Sequence, residues 1–237
     1  MCELFGMSCA APDRSTRSLP VFAERYSPSN PDGWGLAYYQ NYHAIVEKNP
    51  AVAKDDPSFS EAVASASSEV IVAHLRQGNV GGVCRENCHP FLLHGLGADL
   101  VFAHNGTVRD IETPPNRTDS ESVFQALIKT ATMYICEGPM HGVYPGIAKG
   151  VKTIFNRYGR TIHLNFLLSD GVMLYAFSHY PRKPMFMLRR EKDYGGTILV
   201  ATQKLTDENW LEIPPDRLLV LNRGRVLVLS DRVETML

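Results

Sequence analysis

With 237 residues, 44% of them hydrophobic and 21% charged, the chain has enough apolar material for a packed core and the length of one sizeable domain or two small ones. Its formal net charge of −1, from 24 basic and 25 acidic residues, offers none of the basic excess that nucleic acid or an anionic membrane selects. No apolar run approaches bilayer-spanning length and no signal-peptide pattern opens the chain, so a cytoplasmic protein is expected.

The first chemical signal is Cys2, directly after the initiator methionine. Removal of Met1 would leave its thiol and a free α-amine on one residue. The thiolate is a nucleophile, and an α-amine, with an ordinary pKa of ~7.7–8.0, is a base poised near neutral pH. Leu4 to Cys9 reads as a short strand carrying Cys2 at its leading end, and Pro12 to Arg17 as loop. Pro28 to Gly35 forms a turn rich in proline and glycine that runs into Leu36–Tyr39. It is either a hairpin connection or a rim loop beside the nucleophile.

Ser58 to Ala66 is expected as a short helix, and Glu69 to Leu75 as a strand covered on both faces. Arg76 follows, an ordinary surface position unless the small-residue loop after it admits a ligand. Leu100 to Ala103 is a further apolar strand, stopping at His104-Asn105-Gly106-Thr107. Asn-Gly is a common hairpin turn. Its alternative here is an oxyanion hole made by the Asn105 amide and the Gly106 N–H. Thr118 and Glu121 have capping-box spacing, and Val123, Phe124, Leu127, Ile128, Ala131 and Ile135 recur at helical period, which predicts a helix over 120–135. Asp119 would favour the dipole of that helix, or hold a cationic ligand group at its mouth.

Gly146 to Tyr158 offers a second long helix. Strands are then expected at His163–Leu168, Val172–Phe177, Met185–Leu188, Thr197–Ala201, Leu218–Leu221 and Val226–Leu229. Strands at both ends with helices between them imply one layered α+β domain spanning 1–237. The odd count of five cysteines argues against a disulfide scaffold. Cys84, Cys88 and His89 lack a second ligand pair, so neither a metal nor a cofactor is expected and these thiols read as packing residues.

In combination these residues resemble the class II glutamine amidotransferases, a branch of the N-terminal-nucleophile (Ntn) hydrolases, and most of all the short stand-alone YafJ-like members. The resemblance is carried by Met1-Cys2-Glu3-Leu4-Phe5-Gly6, Asp32-Gly33-Trp34-Gly35, Ala73-His74-Leu75-Arg76, Asn87-Cys88-His89-Pro90-Phe91, Ala103-His104-Asn105-Gly106, Thr118-Asp119-Ser120-Glu121 and Ala201-Thr202-Gln203-Lys204-Leu205-Thr206, with Trp210 and Pro214-Pro215 after them. It departs from larger relatives in having Asn30-Pro31 before Asp32, and Asn79-Val80 after Arg76.

The resemblance implies a four-layer αββα sandwich of two mainly antiparallel sheets flanked by helices. It implies Cys2 as nucleophile with its own α-amine as base, and Asn105 and Gly106 as oxyanion donors. Arg76 would take the α-carboxylate of the substrate and Asp119 its α-ammonium, while the backbone at Gly33 and Trp34 would help line the pocket. The expected substrate is glutamine, with ammonia released through a γ-glutamyl thioester to water or to a separate synthase. Two alternatives accompany it: hydrolysis of a larger γ-glutamyl amide, and a catalytically silent amino-acid-binding or regulatory protein that keeps Met1.

Overall fold

The computed structural model describes residues 2–95, 97–136, 143–159, 161–191 and 196–233. The chain enters through β1 (Glu3–Asp13), α1 (Leu19–Tyr26), the hairpin β2 (Trp34–Gln40) and β3 (His43–Asn49), α2 (Pro57–Ser65) and β4 (Ser68–Leu75). It continues with β5 (Phe91–Gly95), β6 (Ala98–Thr107), α3 (Asp119–Cys136) and α4 (Val143–Tyr158). The remainder is β7 (His163–Ser169), β8 (Leu174–Phe177), β9 (Phe186–Arg190), β10 (Thr197–Ala201), β11 (Leu211–Glu212), β12 (Arg217–Asn222) and β13 (Arg225–Arg232).

Among the described residues the strands form two sheets, ordered β11-β9-β10-β1-β4-β2-β3 and β13-β12-β8-β7-β6-β5, with antiparallel pairing throughout. Side-chain alternation sorts three apolar layers. On β1, Phe5, Met7 and Cys9 pack outward with Phe22 of α1 and Phe59 of α2, while Leu4 packs inward. On β6, Phe102 packs outward with Phe124 of α3 and Phe155 of α4, while Val101 and Ala103 meet Leu4, Val72 and Val200 of the facing sheet. Each fully buried phenylalanine contributes roughly 1.5–3 kcal/mol by leaving water. The product is the αββα sandwich that the resemblance implies.

Several sequence expectations change. The first strand runs on to Asp13, into the segment expected as loop. Elements not expected from the sequence include α1, which Phe22 docks onto β1, the edge strands β3 and β5, whose half-exposed residues mask the alternation, and the two-residue edge strand β11. The strand expected to stop at His104 continues to Thr107, paired with β7 from Val101↔Ser169 to Thr107↔His163. Asn105-Gly106 is therefore strand and not a turn. The expected capping box is half formed. Glu121 N–H donates to Thr118 Oγ1 at 3.4 Å, but the Glu121 carboxylate is engaged by Arg117 at 2.5 and 2.6 Å.

Candidate active site

The sheets open at one end, where β1 begins, β4 and β6 finish, and α3 starts. A cavity of about 200 Å³ lies there, walled by Cys2, Arg76, Asn105, Gly106 and Asp119 among others. Cys2 stands just ahead of the first β1–β4 pair, Glu3↔Leu75, which brings it beside Arg76. Its Sγ accepts from the Gln77 N–H and donates to the Gln77 carbonyl, both at 3.4 Å. Burial pushes the thiol above its ordinary pKa, outweighing the Gln77 amide and the Arg76 charge, which pull it down. A thiol in that condition needs an adjacent base to become a nucleophile.

Arg76 is 2% exposed. Its Nη2 donates to the Val80 carbonyl at 3.0 Å, and its buried Nη1 has no hydrogen-bond partner among the described residues. The backbone on either side of it is gripped by the Asp32-Gly33 turn. Arg76 N–H donates to the Gly33 carbonyl at 2.7 Å, Asp32 N–H to the Arg76 carbonyl at 3.1 Å, and Gly78 N–H to Asp32 Oδ2 at 2.7 Å. Gly33 has φ +139°, and a Cβ there would fall 2.4 Å from Cys88 Sγ; one on Gly35 would fall 2.0 Å from the His89 carbonyl. The Asp-Gly-Trp-Gly turn and the Asn-Cys-His-Pro segment are thus complementary surfaces.

Asn105 lies on the inward parity of β6, after Val101 and Ala103, and its Nδ2 donates to the Cys2 carbonyl at 2.5 Å. A carboxamide nitrogen carries two hydrogens, so one remains for a second acceptor. Outward on the same strand, His104 bridges Ser120 Oγ at 2.9 Å and the His163 carbonyl at 3.1 Å. A Cβ at Gly106 would lie 2.0 Å from that carbonyl oxygen. Asp119 opens α3, and its Oδ2 accepts from the Val108 N–H at 2.8 Å.

In the cavity wall His89 Nδ1 is hydrogen-bonded at 2.9 Å to Nε2 of His74, which lies behind it. Both rings are neutral: burial, with the Arg76 charge, pushes His74 down to about 3, and burial with the His74 ring holds His89 well below its ordinary value.

Five of the seven residues expected at the site thus share one cavity: Cys2, Arg76, Asn105, Gly106 and Asp119. Gly33 and Trp34 do not line it. Gly33 acts on Arg76 through the backbone, and Trp34 is core, its ring 5.2 Å from that of Phe59 and its indole N–H on Asp56 Oδ2 at 2.8 Å. Sequence reading assigned no role to Glu3, Lys183 and Thr202, which surround the Cys2 backbone. Glu3 and Thr202 lie in segments that carry the family resemblance, but nothing local marks Lys183. Among the described residues no group of three His, Cys, Asp or Glu side chains is arranged to hold a metal, and no helix is long and apolar enough to cross a membrane.

Residues 1–199 match the family model for class-II glutamine amidotransferases. The chain is 30% identical to the putative glutamine amidotransferase YafJ of Escherichia coli K12, over 98% of this chain and 100% of that one. It is 25% identical to the gamma-glutamyl-hercynylcysteine sulfoxide hydrolase of Mycobacterium tuberculosis H37Rv, over 89% of this chain and 84% of that one. The crystal structure of a predicted glutamine amidotransferase from Pseudomonas aeruginosa PA01 superposes with a TM-score of 0.68 at 24% identity, covering 96% of this chain and all of the other.

Proposed function

Since this chain belongs to the class II glutamine amidotransferases, we propose that it hydrolyses the side-chain carboxamide of glutamine through a thioester on Cys2, once Met1 has been removed. The observation that carries the proposal is the convergence of a thiol, a buried guanidinium whose Nη1 has no partner among the described residues, a buried carboxylate and a carboxamide donor on one amino-acid-sized cavity. A guanidinium fork suits a carboxylate, so Arg76 takes the α-carboxylate and Asp119 the α-ammonium. These two contacts orient the carboxamide carbon toward Sγ.

The α-amine of mature Cys2 accepts the thiol proton as sulfur attacks. The second N–H of Asn105, with Gly106, stabilises the tetrahedral oxyanion. Collapse breaks the C–N bond, and the proton on the α-amine leaves with ammonia. Water, deprotonated by the same amine, then attacks the thioester, releasing glutamate and the thiol. In this reading the single domain of residues 1–237, less Met1, works as one catalytic unit in the cytoplasm, in accord with five free cysteines, and a separate synthase can take up the ammonia.

The likeness to a hydrolase named for a γ-glutamyl compound favours, as second reading, a larger γ-glutamyl amide as substrate. Ammonia or amine release from glutamine and a panel of γ-glutamyl amides tests both, using protein shown by intact mass to lack Met1, with Cys2→Ala as control. Release from glutamine alone selects the first reading, and release from a larger amide the second. No release from any amide by mature protein would reject both and leave the non-catalytic alternative.

A further inference from the structure

Beneath the nucleophile lies a buried ion pair for which the proposed chemistry has no use. Lys183 Nζ donates to Glu3 Oε1 at 2.5 Å and to the Cys2 carbonyl at 3.2 Å, with side chains 13% and 4% exposed for Lys183 and Glu3. Thr202 Oγ1 donates to the other Glu3 oxygen at 2.5 Å, and Gln203 Nε2 adds a bond to Oε1 at 3.1 Å. Asn165 Nδ2, fully buried on β7, holds the Lys183 carbonyl at 2.6 Å and so fixes the turn that presents the lysine. Neither Lys183 nor Glu3 walls the cavity.

Taking both charges out of water is costly, and a matched apolar pair would stabilise the fold as well or better. The location of this pair suggests what it supplies instead. Once Met1 is gone, no peptide bond holds Cys2 on its amino side, and the carbonyl is its remaining main-chain anchor. Rotation about the Cα–C bond would swing the α-amine away from the cavity. Here the carbonyl is pinned from two directions, by Asn105 on one sheet and by Lys183 from the β8–β9 connection.

We propose that Lys183, itself held by Glu3, is a positioning residue that locks the carbonyl of mature Cys2 and thereby aligns its amine and thiol with the cavity. Its charge, in direct contact with that residue, also favours the neutral, proton-accepting amine. This rests on the amidohydrolase reading. The other titratable groups that line the cavity with Cys2 are Arg76 after β4, His89 before β5, His104 on β6, Asp119 on α3, His163 on β7 and Tyr180 after β8, and Glu3 follows it on β1. All but Glu3 are left in place by the test.

The test compares mature parent, the double variant E3Q/K183M, which removes both charges without orphaning either, and K183R. Glutamine kinetics and the rate of Cys2 alkylation by iodoacetamide, read on the Cys2 peptide, are each followed against pH. In the double variant the loss of the lysine charge raises the amine pKa and the loss of the Glu3 charge lowers it. Because Lys183 is the member in contact with the Cys2 carbonyl, the net shift of the acid limb of kcat/KM should be to higher pH, by less than the roughly one unit that removal of one neighbouring charge gives. With it kcat should fall about tenfold or more, KM should stay within about twofold, the alkylation profile should shift, and K183R should recover most of the loss. Parental kcat and profile in the double variant would overturn the proposal, as would a fall in kcat with an unmoved profile and no rescue by K183R. Should the double variant fail to fold, Thr202→Val, which loosens Glu3, carries the same readouts: a smaller shift of the same sign supports the role, and no shift rejects it. Alkylation needs no substrate, so a parent inactive on every amide whose alkylation profile still moves in the variant would reject the reaction and keep the positioning role.

Discussion

The Asn105 carboxamide and the Cys2 carbonyl meet at 2.5 Å across 103 residues of sequence and between two different sheets. One side chain therefore both anchors Cys2, the proposed nucleophile, and keeps a second N–H for another acceptor at the cavity it lines. Asn105→Ala should lower kcat by about 10²–10³, the cost of an oxyanion donor, while glutamine affinity changes only a few-fold. Steady-state kinetics on mature protein check this; a variant as fast as the parent removes Asn105 from the oxyanion role.

Among the described residues the buried Arg76 Nη1 has no partner, beside one engaged Nη2. Arg76→Lys keeps the charge but loses the fork. It should raise KM for glutamine roughly tenfold to a hundredfold, the equivalent of about 1.5–3 kcal/mol for a charged hydrogen bond, with a smaller effect on kcat. Unchanged affinity, measured by KM and by glutamate inhibition, would place the α-carboxylate elsewhere.

Gly106 leaves no room for a Cβ, with the His163 carbonyl oxygen 2.0 Å from where it would sit. Gly106→Ala must spread β6 from β7 next to Asn105. It should cost about 1–3 kcal/mol of stability, as overpacking does, and lower activity as well. Urea unfolding with parallel kinetics checks both, and a parental midpoint would show that the strands yield freely.

His74 and His89 predict an acid-labile fold. With their folded values below the ordinary 6.5, His74 at about 3, the unfolded chain binds more protons throughout that window. Stability should then be fully present above pH 6.5 and be lost progressively as pH falls below it, because the unfolded chain takes up protons that the buried rings refuse. Denaturation midpoints measured across that range should slope accordingly, and His74→Gln should flatten the slope. A flat parental profile would show that these rings titrate alike in both states.

Elements whose pattern is local were legible in the chain. The long helix α3 announces itself because Val123, Phe124, Leu127 and Ile128 form one stripe, and β4 because its apolar run has nowhere to go but a covered sheet. The edge strand β3 was not legible, since its partly exposed residues carry His43, Glu47 and Lys48 among the apolar ones. Helix α1 is two turns long, and Phe22 docking on Phe5, with ring centroids 5.9 Å apart, gives it a stable place.

At the site, the sequence by itself determined the chemical vocabulary. A cysteine able to become the first residue, an arginine ending a buried strand and an acid opening a helix are fixed by order and residue type. Only the tertiary structure decided that Asn105-Gly106 is strand and not turn, because His163, on a neighbouring strand, demands the glycine. It also decided that Gly33 and Trp34 act through backbone and core, and that Lys183, 180 residues from Glu3, belongs beside Cys2. Charged side chains far apart in sequence look like surface until packing removes the water around them, and no local pattern records which partner they will find.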